Sequence, residues 1–327
     1  MKKYDTADYY ANGILAGDRF LLSQAITLVE STLPAHQALA QAILASCAAP
    51  LRPTIRLGIT GVPGVGKSTF IEAFGQTVLA AGHRLAVLTI DPSSRLNRGS
   101  ILGDKTRMQT LSNDLRAYIR PSAAGDSLGG VARKTREAIL LCEAAGFGVV
   151  IVETVGVGQS ETAVHDLTDF FLLLGLPNAG DDLQGMKRGI VEMCDWIAIN
   201  KSDLHPQAAA QSRLQYSNAL HLFAAKPSGW VANASTCSAT THEGVAALWQ
   251  TLETYIATVR QNGFFWRNRR EQTLFWLHES IKDALGTAFA QHPHIQAQMP
   301  LLAQAVVAGE VSVAQATQRL LQLFYDK

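Results

Sequence analysis

The sequence predicts an α/β fold, with a mostly parallel sheet covered by helices on both faces and helical extensions at both ends of the chain. Between residues 55 and 260, short apolar segments of strand length alternate with amphipathic helical segments. Near-continuous apolar strands joined by helices are typical of a parallel sheet that is buried on both faces. A glycine-rich loop also lies between the first apolar segment and a helix, as in P-loop proteins.

The first part of the chain, residues 1–52, is predicted to form an N-terminal helical extension. Asp18 is suited to cap a helix whose apolar residues, from Leu21 to Val29, share one face. Pro34 then opens a second, alanine-rich helix.

The central part, residues 53–262, is predicted to form the α/β domain. The predicted strands are 55–60, 85–90, 115–120, 149–152, 170–176, 196–200 and 230–236. The predicted helices between them are 67–81, 131–145, 183–193, 206–224 and 244–260. In such sheets ligands bind beyond the carboxyl ends of the strands, and the polar motifs of this sequence follow those ends.

The last part, residues 263–327, is predicted to be a C-terminal helical arm. Two apolar stripes at helical spacing run along it: Leu274, Leu277, Ile281, Leu285 and Ala288, then Val313, Ala316, Leu320, Leu321 and Phe324. Apolar stripes require burial. Two roles are open for this arm, decoration of the main domain and dimerisation. We expect a homodimer.

Composition excludes several classes of protein. The 327 residues carry a formal net charge of +1, which gives no basic surface for nucleic acid. No apolar run reaches the length of a membrane span, and the N-terminus lacks the apolar core of a signal peptide. Four scattered cysteines favour buried free thiols in a reducing compartment. We expect a soluble, cytoplasmic protein that binds neither nucleic acid nor membrane.

The glycine-rich loop matches the G-x-x-x-x-G-K-[ST] phosphate-binding motif. It comprises Gly61, Val62, Pro63, Gly64, Val65, Gly66, Lys67 and Ser68, and Thr69 follows as a further predicted nucleotide-binding residue. Its glycines let backbone N–H groups turn toward phosphate oxygens at a helix N-terminus. Lys67 is expected to reach the β- and γ-phosphates, and Ser68 to bind Mg²⁺.

A second motif, Asn200-Lys201-Ser202-Asp203, follows an apolar strand and fits the N-K-x-D guanine pattern. The Asp203 carboxylate is suited to accept hydrogen bonds from N1–H and N2–H₂ of guanine, a donor pair that adenine lacks. Lys201 is expected to lie along the ring, and Asn200 to tie this loop to the phosphate loop. The small-residue turn Ser238-Ala239 ends the next strand and offers a backbone N–H for guanine O6. The nucleotide is therefore expected to be GTP or GDP.

Acidic residues at the same sheet edge predict the metal site. Glu153 and Gly156 occupy the positions of a D-x-x-G loop, with Glu in place of Asp. Gly156 is expected to approach the γ-phosphate. Mg²⁺ takes oxygen ligands, so Ser68, Asp91, Asp104 and Glu153 are the expected set. For Asp91 and Asp104, capping of a helix is the open alternative.

Several segments resemble the MeaB/ArgK family of GTPases, which belongs to the SIMIBI class of P-loop proteins. They are Asp91–Ser94, Gly99–Met108, Leu128–Glu137, Glu153–Glu161 and Gly180–Arg188, and the similarity covers nearly the whole chain. The resemblance implies a GTP-hydrolysing chaperone of an adenosylcobalamin-dependent acyl-CoA mutase, usually methylmalonyl-CoA mutase. Such a chaperone gates cofactor loading, protects or reactivates the mutase, and is a homodimer.

The resemblance also implies three switch segments: the loop around Asp104, residues 153–161, and residues 181–188. In the third, Asp182 and Lys187 are implied to couple partner binding to hydrolysis, although a charged helix N-terminus would give the same local sequence. The chain departs from the family pattern at residues 96–99, 123–126 and 176–178. Intrinsic turnover is expected to be slow, and Gln159 is only a candidate for the hydrolysis base.

Two other functions stay open. A metallochaperone GTPase of the nickel-insertion type would need a histidine-rich tract or paired ligands, and His292 and His294 are the only close histidine pair. A protein kinase acting on a transport component would need a kinase motif set, which is absent from the sequence.

Overall fold

The structure is a computed structural model that describes residues 6–48, 53–91, 108–123, 128–154, 160–177 and 188–325. The chain divides into two compact units, Met1–Gln272 and Thr273–Lys327. In the parts of the chain that are described, no helix is both long and apolar enough to cross a membrane.

The first unit is built around a seven-stranded sheet. Its strands are β1 (Ile55–Gly61), β2 (Leu85–Asp91), β3 (Ala117–Ala123), β4 (Val149–Thr154), β5 (Phe170–Gly175), β6 (Trp196–Ile199) and β7 (Asn233–Thr236). They are arranged in the order β3-β2-β4-β1-β5-β6-β7, and every pairing is parallel. The predicted α/β fold with a parallel sheet is therefore confirmed.

Helices accompany these strands along the chain. Those of the N-terminal segment and the sheet are α1 (Ala7–Leu15), α2 (Arg19–Glu30), α3 (Pro34–Ser46), α4 (Lys67–Ala80), α5 (Gln109–Asn113), α6 (Leu128–Ala144), α7 (Ser160–His165), α8 (Arg188–Met193), α9 (Pro206–Leu220) and α10 (Val245–Gln261). They are followed by α11 (Phe264–Gln291), α12 (Pro293–Val307) and α13 (Val313–Tyr325).

The sheet is buried because its strands are almost wholly apolar. Every residue of β1, β4 and β5 is buried. On one face, Leu57 and Ile59 share a core with α4 and α10, and the Phe74 and Trp249 rings of those helices meet edge to face at 5.9 Å. Helix α6 packs against β2 and β4. Aromatic contacts of this kind add to the stabilisation from apolar burial.

The last strand is shorter than the apolar pattern predicts. It begins at Asn233, whereas residues 230–236 were expected to be extended. The Trp230 indole instead donates to Asp195 O at 3.1 Å and meets the Tyr255 ring edge to face at 5.4 Å. The apolar residue Trp230 therefore belongs to the packing at the amino-terminal edge of the sheet and not to the strand.

The N-terminal helices pack against the sheet and α6 within the first unit. Asp18 caps α2 as predicted, accepting from the N–H groups of Phe20 at 2.8 Å and Leu21 at 3.1 Å. Helix α2 contacts α6 and β3. Arg120 forms an ion pair with Glu30 at the end of α2, which ties this extension to the sheet.

A buried ionic network lies at the amino-terminal edge of the sheet. Arg56 of β1 binds both carboxylate oxygens of Glu143, at 2.7 and 2.9 Å. Arg269, in the first turns of α11, bonds to Asp169, and its Nη1 lies 3.3 Å from Glu143 Oε1. The Arg269 side chain is 1% exposed. Two arginines and two carboxylates thus neutralise each other where solvent does not reach.

The second unit is helical. Within it, Ala316 and Leu320 of the second predicted stripe are buried. Apolar side chains of α11, α12 and α13 line a cavity of about 570 Å³. Leu274, Leu277, Ile281 and Leu285 of the first stripe are exposed in the single chain.

Candidate active site

The phosphate loop joins the end of β1 to the start of α4, and its shape depends on glycine. Gly64 and Gly66 have φ angles of 82° and 92°, in the left-handed region that favours glycine. A Cβ on Gly66 would lie 3.0 Å from the Asn200 amide nitrogen. Val65 between them is fully buried and anchors the loop in the core. The first N–H groups of α4 therefore face the space that an anion would occupy.

Lys67 is the first residue of α4 and lies across this loop. Its ammonium donates to Gly61 O at 2.7 Å and Val62 O at 3.4 Å. Burial lowers the pKa of Lys67, whereas the neighbouring carboxylates Glu153 and Glu161 act to raise it. Two backbone carbonyl oxygens thus hold the Lys67 ammonium at the phosphate loop. A phosphate oxygen would replace one of them or bind the ammonium beside them.

Asn200 binds three loops together. It follows β6, its side chain is buried, and its amide nitrogen donates to Val65 O at 2.9 Å. Its amide oxygen accepts from the Ala239 N–H at 3.0 Å. Lys201, whose φ is 61°, donates from its ammonium to Gly64 O at 2.8 Å. The predicted tie between the N-K-x-D loop and the phosphate loop is confirmed, and it extends to the loop after β7.

Asp203 and the turn after β7 differ in exposure. Asp203 is exposed beside this junction. Ser238 is fully buried, and its N–H donates to Glu243 O at 2.9 Å. The N–H of Ala239 is engaged with Asn200. Both backbone donors of this turn therefore have partners within the protein, and the contact with guanine O6 stays a prediction.

The acidic edge of the site is only partly within the described residues. Glu153 is buried in β4, level with Ile59 of β1 and Thr89 of β2. The next residue, Thr154, donates from its hydroxyl to Thr60 Oγ1 at 2.8 Å. Asp91 ends β2 beside Ala123 of β3, and nothing is described of its side chain. Asp104, Gly156, Gln159, Asp182 and Lys187 lie outside the described residues.

Sequence reasoning assigned no role to Glu161. This residue lies in the first turn of α7, it is 3% exposed, and it contributes to the electrostatic surroundings of Lys67. The available signal was its position at the end of the segment 153–161, where a carboxylate follows Glu153 closely in sequence.

The described donors suit a hard divalent cation. The Ser68 hydroxyl stands in the first turn of α4, and Glu153 supplies a buried carboxylate at the end of β4. Oxygen ligands of this kind fit Mg²⁺, which keeps several waters and takes few protein ligands. No group of three or more His, Cys, Asp or Glu residues placed to hold a metal occurs among the residues described.

A parallel sheet with a phosphate loop after β1, an N-K-x-D loop after β6 and a buried carboxylate at the end of β4 defines a P-loop GTPase. The chain belongs to the MeaB family: the model described as "Methylmalonyl Co-A mutase-associated GTPase MeaB" matches residues 22–294. The chain is a GTPase that binds guanine nucleotide.

Relatives and solved structures agree with this placement. The chain is 45% identical to "GTPase ArgK" of Escherichia coli (strain K12) over 269 residues, which cover 82% of this chain and 81% of that protein. It is 42% identical to "Methylmalonic aciduria type A homolog, mitochondrial" of Mus musculus over 339 residues, covering 100% of this chain and 81% of the relative. The crystal structure of a LAO/AO transport system kinase superposes with a TM-score of 0.76 at 33% identity, covering 99% of both chains.

Proposed function

We propose that this GTPase is a chaperone of an adenosylcobalamin-dependent acyl-CoA mutase, with methylmalonyl-CoA mutase as the first candidate partner. The observation that carries the proposal is membership of a family described as mutase-associated, with a match over residues 22–294. In this role GTP hydrolysis gates cofactor loading and protects or reactivates the mutase.

The proposed site divides the work of hydrolysis among five residues. Lys67 stabilises negative charge on the transferred phosphoryl group. Ser68 and Glu153 hold Mg²⁺, with Asp91 and Asp104 as further oxygen donors, and the ion neutralises charge on the β- and γ-phosphates. The buried position of Glu153, level with β1 and β2, supports this assignment.

Guanine selectivity is assigned to Asp203, whose carboxylate is exposed beside the Asn200 junction. Asn200 and Lys201 both bond to backbone oxygens of the phosphate loop, at 2.9 and 2.8 Å. The base-reading loop and the phosphate-binding loop are therefore held in a fixed relation, which supports one site that reads the base and the phosphates together.

Coupling to the partner is assigned to Asp182 and Lys187 of the third switch. A partner accelerates hydrolysis only if it binds the hydrolysis-competent state more tightly than the resting state. Binding of mutase and nucleotide must then influence each other by the same factor.

The test measures the affinity of the purified mutase for this chain, loaded with a non-hydrolysable GTP analogue or with GDP. We expect the two affinities to differ by about 5- to 150-fold, the usual range of coupling between sites. Asp182→Ala and Lys187→Ala should reduce this ratio toward one, while Lys282→Ala, which removes an exposed cation paired with Glu279, should retain it. Equal affinities in the wild-type chain would contradict nucleotide-dependent coupling.

The metallochaperone alternative gains no support from the described side chains. All four cysteines are buried, each in a different part of the chain. The centroids of the His292 and His294 rings lie 5.5 Å apart. His292 caps α12 and His294 lies in its first turn, so the two are neighbours along the chain. If no mutase of the organism bound the chain, this alternative would be tested next by nickel titration.

Two further parts of the proposal concern assembly and location. A homodimer is proposed because Leu274, Leu277, Ile281 and Leu285 remain exposed along α11 in the single chain. A cytoplasmic location is proposed because four buried free thiols suit a reducing compartment.

A further inference from the structure

Helix α7 carries a buried carboxylate, one oxygen of which has no hydrogen-bond partner among the residues that the structure describes. Glu161 is 3% exposed, and within the described parts of the chain its buried oxygen Oε2 accepts no hydrogen bond. Leaving a buried charged oxygen unpaired is unfavourable. A group of this kind indicates a partner that arrives with a ligand.

The surroundings of Glu161 identify the region from which that partner comes. Helix α7 packs against β1 and β4. These two strands end at the phosphate loop and at Glu153, respectively. The Glu161 and Glu153 carboxylates both act to raise the pKa of Lys67, so both lie within electrostatic reach of its ammonium.

The chemistry of the site limits what the partner is. A phosphate oxygen is excluded because it is an anion and accepts hydrogen bonds only. Two of the three Lys67 N–H donors already bond to Gly61 O and Val62 O, and the third is left for a phosphate oxygen. At the phosphate end of the nucleotide, waters bound to Mg²⁺ are the donors that arrive with the ligand, because this ion retains several waters whose hydrogens need acceptors.

We infer that Glu161 is a positioning residue of the magnesium–phosphate site, where its Oε2 accepts a hydrogen bond from a magnesium-bound water. Glu153 and Glu161 then orient the hydrated ion together, Glu153 from the end of β4 and Glu161 from α7. This inference rests on the proposed binding of Mg²⁺ with the nucleotide. The second switch, residues 153–161, then has a carboxylate of the magnesium site at each end, Glu153 and Glu161.

The test follows release of a fluorescent GDP analogue as magnesium is titrated. Glu161→Gln keeps the shape of the side chain and removes its charge. We expect the magnesium concentration needed for half-maximal slowing of release to rise about 10-fold or more, the usual effect of losing an outer-shell partner of a metal site. Glu137→Gln is the matched control. Glu137 lies on helix α6, is buried like Glu161 (5% exposed), and already accepts a hydrogen bond from the Gln41 amide at 3.2 Å. This control should retain the wild-type magnesium curve.

A second measurement separates this role from a structural one. Without nucleotide and magnesium, Glu161→Gln should have an unchanged or higher thermal midpoint, because it removes charge from a buried oxygen that accepts no hydrogen bond from the described residues. A wild-type magnesium curve in Glu161→Gln, or a lower midpoint without ligand, would overturn the inference. A wild-type release rate that did not respond to magnesium would overturn the magnesium proposal itself, and this inference with it.

Discussion

Replacing Arg269 is predicted to destabilise the first unit strongly. The guanidinium donates to Asp169 Oδ2 at 2.6 Å, to Thr54 O at 3.1 Å and to Glu143 Oε1 at 3.3 Å, and it is almost wholly buried. Arg269→Met keeps the apolar stem and removes these donors. Removing one partner of a buried ion pair costs about 3–5 kcal/mol, because the other charge stays buried without compensation.

The same substitution should make stability depend differently on pH. Burial acts to raise the pKa of Glu143, but hydrogen bonds and charge from Arg56, and the charge of Arg269, outweigh it and hold the pKa below the ordinary value of 4.5. A carboxyl with a depressed folded pKa stabilises the protein above its unfolded pKa, and this contribution is lost as pH falls through the folded pKa. In Arg269→Met the Glu143 carboxyl loses one of the charges that lower its pKa and is protonated more readily, so the stability difference between the variant and wild type should shrink as pH falls from 7 toward 4.5.

The assay is urea unfolding at pH 7 and at pH 5, with the free energy of unfolding extrapolated to water. Arg270→Met is the matched control, since Arg270 is exposed on the next position of α11. We expect the control to lie within about 0.5 kcal/mol of wild type. A loss below about 1 kcal/mol for Arg269→Met at pH 7, or a loss independent of pH, would refute this reasoning.

Four further variants test the site and the arm. Lys67→Ala should lower kcat for GTP by about 10²–10³-fold, measured as phosphate release, and Glu153→Ala should raise the magnesium requirement of whatever turnover remains. Asp203→Asn should lower the affinity for GDP by about 10²–10⁴-fold, because two hydrogen bonds from guanine to the charged carboxylate, of about 1.5–3 kcal/mol each, are lost. The same variant should bind XDP more tightly in calorimetry, since Asn offers a donor to the xanthine carbonyl. A chain ending at Gln272 should sediment as a monomer that still binds GDP, whereas a wild-type monomer at micromolar concentration would contradict the proposed dimer.

The end point of that truncation shows where sequence reasoning needed the structure. The predicted arm begins at residue 263, but Phe265 and Arg269 are buried in the first unit. A deletion from residue 264 would therefore remove part of the core together with the arm. The apolar stripe on α11 is visible in the sequence, whereas the partners of Arg269 lie between 100 and 215 residues away along the chain.

The fold was predictable because its strands are short apolar runs and its loops carry recognisable motifs. The β1–α4 loop and the loop after β6 were placed correctly from motif and position alone, and their contact through Asn200 was anticipated. The roles of Ser238 and Ala239 were less predictable, because the structure commits both N–H groups to other acceptors. Glu161 escaped notice because its position at the end of the segment 153–161 is a weak signal, and the sequence does not reveal the burial that sets it apart from an ordinary acidic residue in a helical first turn.

The central claim is that this GTPase serves a cobalamin-dependent mutase through its nucleotide state. The most direct measurement is GTP turnover by the purified chain, with and without the purified mutase of the same organism. We predict slow turnover alone and clear acceleration by the mutase, with the acceleration lost in Asp182→Ala and Lys187→Ala while their intrinsic rates are retained. Turnover that no adenosylcobalamin-dependent mutase of the organism changes would contradict the account.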